Sequence, residues 1–186
     1  MSVYVETGIF IDYLSCRGSA RSLRTESRRG RSQGQLALDA EAFLLHIRGS
    51  RNGGTSALTC YEAEEALFKD LATTVKGVSR GGQLIVPVAR ALMMQTLTAI
   101  QYFDVQVLEL SPGVIERQLS MVELQKRGLR AADALHVATA VEFDADLLVS
   151  GDEDILNVDG VITNCSGRVI RCVDSHDALK LLGQDE

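Results

Sequence analysis

The feature that most constrains this chain is the stretch LRAADALHVATAVEFDADLLVSGDEDIL, residues 129–156. Small and apolar residues cover nearly every direction of a helix that opens at about Leu129, so that helix is expected to be buried and not to lie on the surface. It leads directly into a short apolar strand, LLVS, which ends in an acidic turn holding Asp152 and Asp154. A buried helix joined at once to a buried strand is the repeating unit of layered α/β proteins.

The same alternation runs through the rest of the chain. VYV reads as a strand that stops at Glu6 and Thr7, after which apolar residues return at helical spacing. A helix is predicted over Leu36–Ile47, ended by Gly49, and GGTSALTC reads as a strand that closes at about Thr59. YEAEEALFKDLATTV is made of strong helix formers, residues 77–83 break it, and IVPVARALMMQTLTAIQYF resumes as a second long helix. VQVLEL returns to strand. Pro112 after Ser111 opens GVIERQLSMVELQKRG as one helix, RVIRCV is the last strand, and the tail 183–186 is expected to fray. These elements predict one α/β domain over residues 1–182, with a central, mainly parallel sheet of about five strands.

Composition agrees with one well-packed domain, since 186 residues at 46% hydrophobic suffice for a single core. No run of about 20 apolar residues marks a membrane span, and Glu6 and Asp12 stand where a signal peptide needs basic residues, so a cytoplasmic location is expected. Cys16, Cys60, Cys165 and Cys172 form no C-x-x-C pair, which argues against a zinc ribbon or a thioredoxin-type site. The net charge of −6 conceals a strong local bias. Residues 17–31 hold Arg17, Arg21, Arg24, Arg28, Arg29 and Arg31 against Glu26 alone, inside an Arg-, Ser- and Gly-rich insertion at about 15–35 that can bury little. Such a segment is either a solvated loop or an electrostatic guide for phosphates.

Ligand sites of open α/β sheets form beyond the carboxyl ends of the strands. Glu6, Asp152 and Asp154 fall at such ends, while Glu62 and Asp133 fall in the opening turns of helices. Gathered at one sheet edge, these acids repel one another and raise one another's pKa unless a hard cation such as Mg²⁺ or Mn²⁺ joins them. Each also has a structural reading: Asp133 as a helix N-terminal charge, Glu62 as part of a solvated face with Glu64 and Glu65, Asp152 and Asp154 as turn formers. Thr7 and Ser56 are placed either to support the acids with a hydroxyl or to cap helices. His136, three residues after Asp133, reads as a core histidine satisfied by a backbone group, and Cys60 as a packing residue. No G-x-S-x-G elbow, P-loop or H-E-x-x-H is present.

On these residues the chain resembles the PIN-domain family, metal-dependent ribonucleases that include the VapC-type toxins. VYVETGIFIDYL is similar to the family's opening strand and Asp-Thr pair, with Glu6 in place of the aspartate. TSALTCYEAEEAL resembles the second motif with Glu62, and residues 129–155 resemble the third and fourth with Asp133 and Asp152, Asp154 matching a supplementary acid. The resemblance implies a three-layer α/β/α sandwich, a catalytic set of Glu6, Glu62, Asp133 and Asp152, and Mg²⁺ or Mn²⁺ held by Glu6, Asp133, Asp152 and Asp154. It further implies RNA hydrolysis to 5′-phosphate and 3′-hydroxyl ends, an antitoxin protein as partner, and a homodimer. Glutamate at position 6 moves the carboxylate by one methylene, which opens a second reading: an inactive PIN-fold scaffold that binds RNA or protein. A metal-dependent phosphatase finds no nucleophilic aspartate motif.

Overall fold

The computed structural model describes residues 1–17, 27–50, 52–74, 76 and 81–183. The strands are β1 (Val3–Val5), β2 (Gly53–Ser56), β3 (Gln106–Leu108), β4 (Leu147–Val149) and β5 (Arg171–Val173). They form one sheet in the order β3-β2-β1-β4-β5, every neighbouring pair parallel. The helices are α1 (Thr7–Ser15), α2 (Gln33–Ile47), α3 (Leu58–Thr74), α4 (Gly81–Tyr102), α5 (Pro112–Ser120), α6 (Val122–Lys126), α7 (Ala131–Glu142), α8 (Glu153–Leu156) and α9 (Ser175–Leu182).

Period-two side-chain alternation divides the core. Val3, Val5, Leu147, Val149 and Val173 face one layer, packing with Phe10, Phe43, Leu44, Ile100 and Ala178 from α1, α2, α4 and α9 and with Phe103 just after α4. Tyr4, Leu148 and Cys172 face the other, against Ala134, Val137, Ala140 and Val141 of α7 and Ile155 of α8. A smaller cluster of Leu14, Leu67, Ala89 and Leu92 joins α1 to α3 and α4. The fold is the expected three-layer α/β/α sandwich on a five-stranded parallel sheet. Because all strands run the same way, their carboxyl ends share one edge. β1 lies between β2 and β4, so the strand order reverses at β1 and β4, where such sheets open a crevice.

Several boundaries differ from the sequence pattern. β2 stops at Ser56, not Thr59, because the Ser56 hydroxyl accepts the Leu58 amide (3.1 Å) and the chain turns into α3. β5 starts at Arg171 because the residues before it pair backwards: the Ile170 amide donates to Ile162 (2.8 Å), and Thr163 bridges Val169. The helix after Ser111 is broken at Met121, whose ψ of 41° leaves the helical region. α9 has no counterpart in the sequence reading and is capped by Asp174, whose side chain accepts from the Asp177 amide (2.9 Å). Part of the Arg-rich insertion, 18–26, lies outside the described residues, as does the tail 184–186; Ser15 belongs to α1, and Gln33–Gln35 form the first turn of α2 behind a Ser32 capping box. No helix among the described residues is long and apolar enough to cross a membrane.

Candidate active site

Glu6 follows β1 directly and occupies the N-cap position of α1, tied to β4 by its amide, which donates to the Val149 carbonyl (3.0 Å). Its side chain is 9% exposed. Glu6 Oε2 accepts from the Ser150 hydroxyl (3.0 Å), and the carboxylate packs so closely over Gly8 that a Cβ there would stand 2.8 Å from Oε2. Glycine is the residue that leaves room for the longer acid.

Glu62, one turn into α3, turns inward. Its Oε2 lies 2.7 Å from His136 Nε2 and accepts the Thr7 hydroxyl. His136 is 1% exposed, with Nδ1 2.7 Å from the Tyr4 hydroxyl and Nε2 3.2 Å from Thr7 Oγ1. It is therefore satisfied by side chains of β1, α1 and α3, and the expectation of a backbone partner is corrected: a long-range carboxylate and a phenol took both ring nitrogens. Ligand atoms of Glu6, Glu62 and His136 lie within 4.8 Å of one another.

Asp133 sits in the first turn of α7, accepting the Arg130 amide (3.3 Å). Asp152 caps α8, with Oδ1 accepting the Asp154 amide (2.7 Å), and its own amide donates to Ser150 Oγ (2.9 Å). Glu6, Asp152 and Asp154 line one cleft of about 340 Å³; Glu6, Thr7 and Glu62 line another of about 330 Å³ together with Lys69. A roomier cleft of about 400 Å³ between Tyr13 and Tyr102 has no carboxylate in its lining. Thr7 touches Glu62, whereas the Ser56 hydroxyl serves the turn into α3. The sequence did not reveal Tyr4, Ser150 or Thr59, whose hydroxyl lies 3.3 Å from that of Thr7; only Ser150, next after an apolar strand, carried a local signal.

Electrostatics follow the packing. Burial raises the Glu6 pKa against the pull of His136 and the Gly8 amide, and burial with the Asp152 charge raises Asp133. Burial pushes Glu62 up, but the His136 and Thr7 hydrogen bonds outweigh it and leave the carboxyl below its usual range. Burial pulls His136 down, but its bond to Glu62 and the nearby charges of Glu6, Glu62 and Asp133 bring it above its usual value. Of the Arg-rich insertion, Arg17 donates to the Tyr13 carbonyl (2.7 Å) and pairs with Glu41; Arg28 pairs with Asp12, Arg29 with Glu153 and Asp174, and Arg31 with Asp39 and Asp174. Arg21 and Arg24 lie outside the described residues.

The PIN domain family model matches residues 3–161, from β1 past α8. The chain belongs to the PIN-domain family. A search of curated proteins finds no match. PIN domains are generally nucleases that use divalent metal ions, and the donor set of this PIN domain suits such an ion. Glu6 is a buried carboxylate beside Glu62, and the Asp152 charge adds to what burial costs the ionised form of Asp133, so an added cation relieves repulsion that the fold otherwise carries. The donors are carboxylate oxygens, the ligands of hard divalent ions. His136 Nε2 is committed to Glu62 and Thr7, which makes it a holder of Glu62 more than a ligand.

Proposed function

We propose that this PIN domain is a Mg²⁺- or Mn²⁺-dependent endoribonuclease. The observation that carries the reading is the buried Glu6 carboxylate at the β1–β4 crevice, within 4.8 Å of Glu62 and lining one cleft with Asp152 and Asp154. Glu6, Asp133 and Asp152, with Asp154 in support, are the residues to hold the ion. When bound, the ion acidifies a water and neutralises charge that develops on the scissile phosphate. Glu62 stays ionised because His136 and Thr7 bond to Oε2, leaving Oε1 as the atom proposed to orient the attacking water and take its proton. Ser150 fixes the Glu6 carboxylate and the Asp152 amide with one hydroxyl.

RNA is the proposed substrate, with 5′-phosphate and 3′-hydroxyl ends as products. The Arg-rich segment around Arg17, Arg21, Arg24, Arg28, Arg29 and Arg31 is proposed to add salt-dependent affinity for the phosphate backbone without reading bases. A toxin-like role with an antitoxin partner, in the cytoplasm, rests on the motifs' likeness to VapC-type toxins. A homodimer is proposed, with the apolar side chains exposed along α3 and α4, among them Tyr61, Phe68 and Met94, as its surface. The test is cleavage of end-labelled RNA by purified protein with Mn²⁺, beside EDTA and beside Asp133→Asn. Cleavage only in the Mn²⁺ reaction of the unaltered protein supports the proposal.

One observation favours the scaffold reading instead. Burial of Glu6 raises its pKa, and a carboxyl that protonates more readily is a poorer metal ligand. RNA binding that ignores Mn²⁺, without cleavage, would identify that scaffold.

A further inference from the structure

We infer that Arg28 is a positioning residue for this centre, a clasp that holds the 150–154 turn and thereby Asp152 beside Glu6. The inference rests on the nuclease reading above for what the clasp is for. It gives Arg28 an intramolecular task in addition to the phosphate affinity proposed for its segment.

Asp152 stands on a short piece of chain between two anchored ends, Ser150 and the buried Ile155. The turn leaves β4 at Val149, and α8 after it has only four residues, Glu153–Leu156. Within the turn, the Asp152 amide donates to Ser150 Oγ and the Asp154 amide to Asp152 Oδ1. The start of the turn is held by Ser150, whose amide donates to the Val173 carbonyl of β5 (3.0 Å) and whose hydroxyl donates to Glu6 (3.0 Å). Arg28 adds a tie one residue on, beside Asp152: Nη1 donates to the Gly151 carbonyl (3.1 Å), and Nη2 reaches both carboxylate oxygens of Asp12, which is 2% exposed on α1. Burial raises the Asp12 carboxyl to about 6, so at neutral pH its ionised form depends on Arg28 for counter-charge.

Two further features fix the arginine itself. Arg28 and Arg31 bridge each other, the Arg31 amide donating to Arg28 (2.9 Å), across a tight turn with positive φ at Arg29 (50°) and Gly30 (72°). From that turn Arg29 Nε donates to Glu153 (3.1 Å), so the residues on both sides of Asp152 are held from one short hairpin. A Cβ at Gly151 would stand 2.3 Å from Arg28 Nη1, which makes glycine the residue that admits the guanidinium. Arg28 and Gly151 line the same cleft as Glu6, Asp152 and Asp154. Only a planar fork serves Asp12 and a backbone carbonyl together; lysine offers one point charge.

Amide hydrogen exchange on the metal-free full chain, and Mn²⁺ binding followed by electron paramagnetic resonance, test the clasp in the natural protein, Arg28→Lys and Arg28→Ala. Arg28→Lys keeps a charge opposite Asp12 and is expected to melt near the natural temperature, yet to exchange the Asp152 and Asp154 amides about tenfold faster and to bind Mn²⁺ about tenfold more weakly. Arg28→Ala is expected to show the same local changes with a lower melting temperature. Unchanged exchange at residues 151–154 in both variants overturns the clasp. So does full recovery of exchange and Mn²⁺ affinity in Arg28→Lys, which would reduce Arg28 to a neutraliser of Asp12. If the natural protein binds no Mn²⁺, the nuclease reading fails and the positioning role with it, whatever the exchange rates do.

Discussion

His136 Nε2 and Glu62 Oε2 meet at 2.7 Å, and His136 Nδ1 rests 2.7 Å from the Tyr4 hydroxyl, so one buried ring links α7 to α3 and β1. The two partners shift in opposite senses, His136 up and Glu62 down, as an ion pair requires. A raised histidine pKa contributes stability that is present below the unfolded value of about 6.5 and is lost as pH rises through the folded value. A lowered glutamate pKa contributes stability present above about 4.3 and lost as pH falls through the folded value. Urea unfolding of the natural protein and His136→Gln across pH should therefore differ most between about pH 4.5 and 6.5, with the gap narrowing on either side. Because the variant leaves a half-buried carboxylate without its cation, the largest difference should be about 2 kcal/mol. A gap that does not change with pH would show that the pair is not ionised.

Gly8 makes a second case. Its missing Cβ is the space into which Glu6 Oε2 folds. Gly8→Ala meets only the flexible end of a side chain, so stability should change by less than about 1 kcal/mol. Displacing Oε2 should nonetheless weaken Mn²⁺ binding about tenfold, because metal sites tolerate little movement of their ligands. Adding Glu6→Asp, which withdraws the carboxylate by one methylene, should restore part of the affinity. Calorimetric titration of the three variants with Mn²⁺ would check the order.

Asp133 carries a cost that burial and Asp152 impose on its ionised form. Asp133→Asn removes that like charge and should leave the melting temperature of the metal-free protein unchanged or raise it. The same change should abolish both Mn²⁺-dependent cleavage and the stabilisation that Mn²⁺ confers on the natural protein. A thermal scan with and without Mn²⁺ separates the two effects.

How far the sequence revealed this site depends on how local each signal is. Short apolar runs ending in Glu6 or leading to Asp152, and a helix apolar all round carrying Asp133, are patterns within a few residues, and they led to the parallel sheet and to the strand ends that Glu6 and Asp152 follow. The partners of His136 come from Tyr4, Thr7 and Glu62, far away in sequence, and no local pattern foretells them. The Arg-rich segment read as a solvated loop or a guide for phosphates for the same reason: Asp12 within α1, Asp39 within α2, Glu153 at the start of α8 and Asp174 at the cap of α9, which receive its arginines, come from distant parts of the chain. Asp174 also explains why α9 escaped notice, since one capping aspartate before eight residues is a weak signal until β5 places it.

Glu6, despite its extra methylene, is proposed to work as a ligand in a functioning nuclease centre. Rates of Mn²⁺-dependent RNA cleavage by the natural protein, Glu6→Asp and Glu6→Gln decide this. The natural protein is expected to cut, Glu6→Asp to cut within about tenfold of it, and Glu6→Gln to be at least about a hundredfold slower. Cleavage by Glu6→Asp alone, or equal cleavage by the natural protein and Glu6→Gln, would contradict it.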